Sequence, residues 1–139
     1  MIVDGFSLEL DTKGNGDVLN INDMLVERVS QTGISNGIVV VFCPSSTSAL
    51  TTIEYESGCI QDLKSFFERV TPSDMEYKHN QRWGDGNGFS HLRAALLGAS
   101  LTIPLRNGKL TLGTWQQVVL VDFDNRPRRR EMVVQIIGE

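Results

Sequence analysis

The two histidines of the sequence, His79 and His91, both lie in or beside a long polar segment that also contains Asp85. Histidine is the side chain best suited to act as an acid, a base or a metal ligand near neutral pH. Two imidazoles and a carboxylate could also hold zinc or another transition metal, although their spacing matches no compact metal motif. We therefore treat His79, Asp85 and His91 as candidate catalytic residues and metal ligands, the alternative being solvated loop residues.

Glycines alternate with polar residues from Gly84 to Gly88, and Ser90 follows. Glycine permits backbone paths that bring amides and polar side chains towards an anionic ligand. Asn87 and Ser90 are thus candidate ligand-binding residues, and the alternative is a tight surface loop that caps a helix. The segment is not a phosphate-binding P-loop, because no Lys-Ser/Thr pair follows it.

A run of hydroxyl side chains, residues 45–48, follows the β-branched segment Gly37–Cys43. Loops after buried strands often contact ligands, and the hydroxyls of Ser46 and Thr47 could hydrogen-bond a phosphate. A simple polar turn explains the same residues equally well. No serine nucleophile is indicated, because the Gly-x-Ser-x-Gly elbow is missing.

Charged side chains supply further candidates. Glu54 and Glu56 are two residues apart and would share one face of a strand, where one could act as a base or bind Mg²⁺ with diphosphate. Solvated carboxylates are the alternative. Arg82 and Arg93 could clamp phosphate oxygens. The arginines at 128–130 are expected to protect an exposed strand or to pair across subunits.

The elements that must position these residues follow from hydrophobic periodicity and turn signals. A helix is predicted from Asn22 to Gly33 and a second over Ser57–Val70, with a short third one from Ser90 to Leu97. Residues 71–90 are expected to form a long functional loop. Strands before and after two main helices predict an α+β class. The predicted strands are Ile2–Leu10, Gly37–Cys43 (buried on both faces), Ala49–Tyr55, Leu101–Leu105, Lys109–Leu112, Trp115–Phe123 and Glu131–Ile137, with a hairpin turn at Asn107-Gly108.

Length and composition limit the function classes. The 139 residues predict one domain, 1–139, and 40% hydrophobic with 22% charged residues is typical of globular proteins. A net charge of −4 argues against general affinity for nucleic acid or for an anionic membrane. No signal peptide or spanning segment is recognisable, and the two cysteines are expected to be buried thiols, so we expect a cytoplasmic location.

One block of sequence is distinctive: Leu97–Pro104, then Asn107-Gly108, then Leu110–Gln116. It resembles the signature of the YjbQ (UPF0047) family, the secondary thiamine-phosphate synthase proteins. The remaining landmarks occur in the order typical of that family. They are Ser46–Leu50, Glu54-Tyr55-Glu56, Asp62-Leu63, Tyr77-Lys78-His79, Asp85–Gly88, Ser90–Arg93 and Asp122-Phe123-Asp124.

The resemblance implies two packed β-sheets with two main helices, assembled as a homotrimer. It also implies a secondary activity that joins a pyrimidine diphosphate to a thiazole phosphate, with Mg²⁺ holding the diphosphate. Catalytic roles would fall to His91, His79, Asp85 and Glu54. Substrate-binding roles would fall to Ser46, Thr47, Asn87, Ser90, Arg93 and Gln116.

The sequence departs from the family pattern at one place. Many relatives carry a histidine at the start of a His-Thr-Thr/Ser-Ala motif, and Ser45 occupies that position here. A potential base or metal ligand is therefore absent. Two other functions stay open: a metal-assisted hydrolase using His79, Asp85 and His91, and a non-catalytic trimeric module that binds a phosphorylated metabolite.

Overall fold

Two antiparallel β-sheets face each other in the computed structural model, which describes residues 1–139. A five-stranded sheet has the order β1-β8-β3-β5-β6, and a three-stranded sheet has the order β2-β7-β4. The two sheets and the α+β class are as predicted. The strands are β1 (Ile2–Thr12), β2 (Asp17–Asn20), β3 (Gly37–Phe42), β4 (Ser48–Ile53), β5 (Ser100–Arg106), β6 (Lys109–Leu110), β7 (Gln117–Asp122) and β8 (Arg128–Gly138). The helices are α1 (Asn22–Gln31), α2 (Ser57–Val70), α3 (Lys78–Trp83) and α4 (Gly88–Leu97).

The main hydrophobic core fills the space between the sheets. Alternate residues of β8 point into it, among them Met132 and Ile136, which are fully buried. Leu120 of β7 meets them from the smaller sheet, and Leu25 of α1 adds to the same cluster. Removal of this apolar surface from water is the dominant favourable term in folding and holds the sheets together.

A second layer covers the other face of the three-stranded sheet. Phe67 of α2 and Ala94 of α4 pack against Val119 and Val121 of β7. Phe67 also meets Phe123 edge to face, with ring centroids 4.8 Å apart. This contact holds α2 against the chain that follows β7.

The prediction that β3 is buried on both faces is wrong. Its residues alternate, with Val39 buried and Ile38 and Phe42 exposed, because only one face of the larger sheet packs against the core. In the register with β8, Ile38 lies opposite Ile137 and Phe42 opposite Val133. We call the patch formed by Ile38, Phe42, Val133 and Ile137 the outer face.

The predicted loop over residues 71–90 instead contains α3 and the first turn of α4. The α3 helix has no buried residue, so it gives no hydrophobic periodicity to find in the sequence. Tyr77 anchors its start by donating a hydrogen bond to the Pro72 carbonyl at 2.6 Å. Gly84 ends it in the left-handed conformation, at φ 71°.

Several local predictions are confirmed. The second helix spans Ser57–Val70 as predicted. Asn107 and Gly108 both have positive φ values, 50° and 74°, as the tight hairpin turn between β5 and β6 requires. Trp115, predicted to fill the core or a subunit interface, is 72% exposed and therefore lies outside this chain's core. No helix of the structure is long and apolar enough to cross a membrane.

Candidate functional site

A polar cleft of about 490 Å³ opens where the two sheets separate at one end of the sandwich. Three segments meet there: the loop after β3, the α3–α4 segment and the start of β8. The side chains that line it are almost all polar, as expected of a site for a charged or hydrogen-bonding ligand. They are Pro44, Ser45, Ser46, Thr47, His79, Trp83, Asp85, Asn87, His91, Arg128 and Arg130.

Arg130 of β8 ties the floor of the cleft together. Its Nε and Nη2 donate to the two carboxylate oxygens of fully buried Asp122, at 2.7 and 2.9 Å. The same guanidinium donates to Ser45 Oγ at 2.9 Å and to Thr47 Oγ1 at 2.7 Å. Burial by itself would lower the pKa of Arg130, but the hydrogen bonds and charge of Asp122 raise it. The arginine is thus a permanent cation whose geometry is fixed.

Asp124, just beyond β7, is a second buried carboxylate at the cleft. Arg128 donates to its Oδ2 through Nε at 2.8 Å, Thr47 Oγ1 donates to Oδ2 at 3.2 Å, and Asn87 Nδ2 donates to Oδ1 at 3.2 Å. Burial would raise the pKa of Asp124, but hydrogen bonds from Asn87, the Asn125 amide and Arg128 lower it below its usual range. Asp124 is therefore ionised and orders three cleft residues at once.

The two histidines lie side by side in the wall of the cleft, with ring centroids 4.3 Å apart. His79 Nδ1 lies 3.5 Å from Asp85 Oδ1. Burial and the neighbouring His79 lower the pKa of His91, while Asp85 and Asp124 oppose that shift. His91 is consequently neutral near pH 7, with one ring nitrogen able to accept a proton and the other able to donate one.

Two buried side-chain atoms in the whole chain lack a hydrogen-bond partner, and both belong to residues that line this cleft. They are His79 Nδ1 and Asn87 Oδ1. A buried polar atom without a partner costs about 1–3 kcal/mol, so such atoms are rare and mark positions where a ligand can complete the bonding. Their coincidence at one place distinguishes this cleft from the other concave regions of the surface.

Most of the sequence-predicted site residues meet in the cleft: His79, Asp85, His91, Ser46, Thr47 and Asn87. Ser45, at the position where many relatives carry histidine, also lines it and accepts a hydrogen bond from Arg130. His79, Asp85 and His91, the predicted metal ligands, all line the cleft, and Asp85 is its only carboxylate not bound by an arginine. The structure nevertheless brings no three His, Cys, Asp or Glu side chains into an arrangement that could hold a metal ion.

Glu54 and Gln116 are away from the cleft. Glu54 is an exposed residue after β4, and its neighbour Glu56 caps α2 by accepting hydrogen bonds from Gly58 N and Cys59 N at 2.7 and 2.9 Å. Helix capping therefore explains the carboxylate of Glu56. Glu54 and Glu56 do not face the cleft as a pair. Gln116 donates to Thr52 Oγ1 at 3.0 Å, on the far part of the smaller sheet.

Arg93 and Ser90 also have other partners. Arg93 turns away from the cleft and donates to Glu68 Oε2 at 2.9 Å and to the Thr71 carbonyl at 2.7 Å. Ser90 is fully buried and donates to the Phe123 carbonyl, which fastens α4 to the chain after β7. Both residues support the cleft from behind and do not line it.

Sequence reasoning missed the arginine and aspartate pairs. Arg128 and Arg130 are two residues apart at the start of β8 and so share one strand face. Asp122 and Asp124 have the same spacing, at the end of β7 and just beyond it. That spacing was the available signal. Arg128 and Arg130 point inward to the aspartates. Arg129 is exposed and pairs within the chain, with Glu9 and Asp11 of β1 at 3.1 Å each.

A family model described as UPF0047 protein YjbQ-like matches residues 6–139. The chain belongs to the YjbQ family. The match covers every strand, helix and cleft residue from the middle of β1 onwards. The family assignment suggested by the sequence motifs is thereby confirmed.

Relatives and solved structures agree with this membership. A UPF0047 protein of Methanothermobacter thermautotrophicus is 40% identical over 95% of this chain and 90% of its own length. The crystal structure of a YbjQ-like protein of unknown function from Sulfolobus solfataricus is 32% identical, with a TM-score of 0.90 over 99% of this chain and all of that one. A hypothetical protein from Aeropyrum pernix is also 32% identical, with a TM-score of 0.91 over 98% and 99%. None of these names states an activity for the YjbQ family.

The environment of His91 predicts how its titration responds to its neighbours. Replacing His79 with Gln removes a competing positive charge, so we expect the pKa of His91 to rise towards its usual value of about 6.5. Replacing Asp85 with Asn removes a favourable negative charge, so the pKa should fall further below the wild-type value. Imidazole NMR resonances followed against pH measure both changes. Shifts of the same sign in the two variants would contradict this electrostatic account.

The low pKa of Asp124 predicts a stability that depends on pH. Because the folded-state pKa lies below the unfolded value of about 3.9, the contribution is present at neutral pH and is lost as pH falls through the folded-state pKa. We expect Asp124→Asn to destabilise the protein by about 3 kcal/mol at pH 7, since Arg128 loses its partner. Between pH 5 and about pH 2 the variant should lose less further stability than the wild type.

Urea denaturation across this pH range gives both quantities. Asp74→Asn removes the same charge from an exposed position outside the cleft and serves as the control. An Asp124→Asn protein as stable as the control at pH 7 would show that the buried pair has no structural role.

Proposed function

We propose that the cleft binds a phosphorylated small molecule and that the chain joins a pyrimidine diphosphate to a thiazole phosphate, releasing diphosphate, as a secondary activity. One observation carries the proposal: hydroxyls, two fixed arginines and a histidine pair converge on a single cleft that contains both unpartnered buried atoms. The motif resemblance suggests the reaction, and the arrangement of side chains in the cleft supports the residue roles proposed below.

The anionic half of such a substrate fits the floor of the cleft. Arg128 uses Nε and Nη2 for Asp124, and no protein hydrogen bond uses its Nη1. The exposed hydroxyl of Ser46 lies in the adjoining loop. Arg128 therefore takes the role that the sequence suggested for Arg93. Mg²⁺ held by Asp85 and by phosphate oxygens would neutralise the remaining charge.

Departure of diphosphate leaves a cation at the methylene carbon of the pyrimidine half, and the thiazole nitrogen then attacks that carbon. The bond from carbon to the diphosphate oxygen breaks and a carbon–nitrogen bond forms, with the bonding electrons leaving on diphosphate. Fixed cations aimed at the leaving oxygens supply the main catalytic effect in such a reaction. Neutral His91 can donate its N–H to a departing oxygen, and His79 and Asp85 orient the groups around it.

A metal-assisted hydrolase is the second candidate. The observation that favours it is His79 Nδ1, which has no hydrogen-bond partner and lies 3.5 Å from Asp85 Oδ1. A transition metal on His79, Asp85 and His91 would activate water for attack on a phosphoester. Elemental analysis of protein purified without added zinc separates the candidates: about one equivalent of transition metal per chain favours the hydrolase.

The proposed reaction predicts thiamine phosphate formation from the two purified precursors with Mg²⁺. We expect His91→Ala to lower turnover by about 100-fold or more, because a positioned acid or base is lost. Gln81→Ala changes an exposed residue of α3 that does not line the cleft and should keep wild-type turnover. Product appearance measured by chromatography, on variants with wild-type circular dichroism, gives the comparison.

The outcomes assign different roles. Full turnover in folded His91→Ala removes that residue from the mechanism. A folded wild-type protein without turnover contradicts the synthase proposal and leaves the hydrolase and the non-catalytic module that binds a phosphorylated metabolite.

We also propose that the chain forms the homotrimer implied by the family resemblance and that the outer face takes part in it. Four apolar side chains of the outer face are each 41–49% exposed on one flat sheet surface. Exposed apolar patches of this kind are typical of protein–protein interfaces. Arg129, with Glu9 and Asp11, forms a polar margin at one end of the same face.

The trimer proposal predicts a mass of about 46 kDa in light scattering after size-exclusion chromatography, three times the chain mass of 15.4 kDa. Val133→Lys places a charge in the outer face and should reduce that mass, because an unpaired charge is costly in an apolar interface. Val26→Lys makes the same change on α1, at a valine of similar exposure (45% against 41% for Val133). This variant should leave the measured mass unchanged. A wild-type monomer mass would refute the trimer.

A further inference from the structure

The amide of Asn87 is held in one orientation. Its Nδ2 donates to Asp124 Oδ1 at 3.2 Å, and an ionised carboxylate can only accept hydrogen bonds. A flipped amide would set two acceptor oxygens against each other, so the carbonyl oxygen Oδ1 must point the other way. Asn87 is 94% buried, and its Oδ1 has no partner in the protein. The lining of the cleft therefore includes one buried acceptor of fixed orientation that no protein group uses.

A neutral N–H group suits this acceptor better than a metal ion. The guanidinium groups of Arg128 and Arg130 line the same cleft, and both carboxylates behind them are already occupied by arginine. A divalent cation at Asn87 would face these positive charges, and Asp85, 3.5 Å from His79 Nδ1, is the only cleft carboxylate left to offset them. A donor on an otherwise anionic molecule meets no such repulsion.

The walls of the cleft favour a planar carrier for that donor. The indole of Trp83 is 67% exposed and lines the cleft. The tilted rings of His79 and His91 add further flat surface. Aromatic faces of this kind stack on planar heterocycles.

We infer that Asn87 Oδ1 accepts a hydrogen bond from an exocyclic amino group on the aromatic ring of a phosphorylated ligand. Asn87 is thus a specificity residue, which distinguishes an amino-substituted heterocycle from the same ring without the amino group. The inference rests on the proposed function, whose pyrimidine half carries such an amino group. It adds two details to that function. Asn87 Oδ1 is the atom that recognises the amino group of the ring, and the ligand is oriented with its ring at Asn87 and its phosphates at Arg128.

Binding of two probes tests the assignment: the aminopyrimidine monophosphate, and its analogue with hydrogen in place of the amino group. Isothermal titration calorimetry in EDTA, on the wild-type protein and on Asn87→Ala, gives four dissociation constants. We expect the wild type to bind the amino probe about tenfold or more tightly than the analogue. In Asn87→Ala the ratio should fall to about one. A distorted cleft would weaken both probes together and leave the ratio unchanged, so the ratio separates recognition from structural damage.

The wild-type comparison needs no variant and decides the matter if Asn87→Ala does not fold. Equal binding of both probes by the wild type overturns the inference and leaves the proposed function intact. A preference that persists in Asn87→Ala assigns recognition to another residue and also overturns it. A preference that appears only when Mg²⁺ replaces EDTA also overturns the inference, because Oδ1 then does not recognise the amino group by itself. Failure of the wild type to bind either probe, both in EDTA and with Mg²⁺, removes the proposed function and this inference together.

Discussion

The candidate site depends on buried ion pairs that connect the two sheets. Asp122 ends a strand of the smaller sheet and Arg130 begins a strand of the larger one, so the bidentate contact between them joins the sheets where the cleft opens. Asp124 and Arg128 repeat the connection one step further along. Charges this deep are stable only as pairs, and loss of one partner typically costs about 3–5 kcal/mol. The ion pairs therefore hold the two sheets together at the end where the cleft opens.

The same ion pairs organise the loop and helix around them. Thr47 accepts from Arg130 and donates to Asp124, which fixes the hydroxyl loop as it passes from one sheet to the other. Asn87, at the start of α4, is held by Asp124 as well. Residues from three separate parts of the chain thus share one set of charges. Preorganisation of this kind lets a site bind anionic groups without first rearranging.

The sequence predicted the elements whose signals are local and failed where burial decided the outcome. The second helix and the Asn107-Gly108 hairpin follow from periodicity and turn chemistry and were placed correctly. The α3 helix was missed because five of its six residues are polar and none is buried, and because it is held by an anchoring tyrosine and a terminal glycine. The family motifs identified most of the residues that line the cleft, but a motif does not show in which direction a side chain points. Arg93 and Glu54 were for that reason assigned to a site they do not face, and Arg130 was read as a surface residue.

The two histidines rest on supports of very different strength. His91 belongs to α4, which is fastened by Ser90 and by Ala94 in the core behind the smaller sheet. His79 belongs to α3, a six-residue helix with no buried side chain. Elements with few buried contacts open locally at much lower free energy than the core does. The α3 helix, which carries His79 and Trp83, is thus the more easily displaced side of the cleft. A ligand that contacts both His79 and His91 would link α3 to the more firmly held α4.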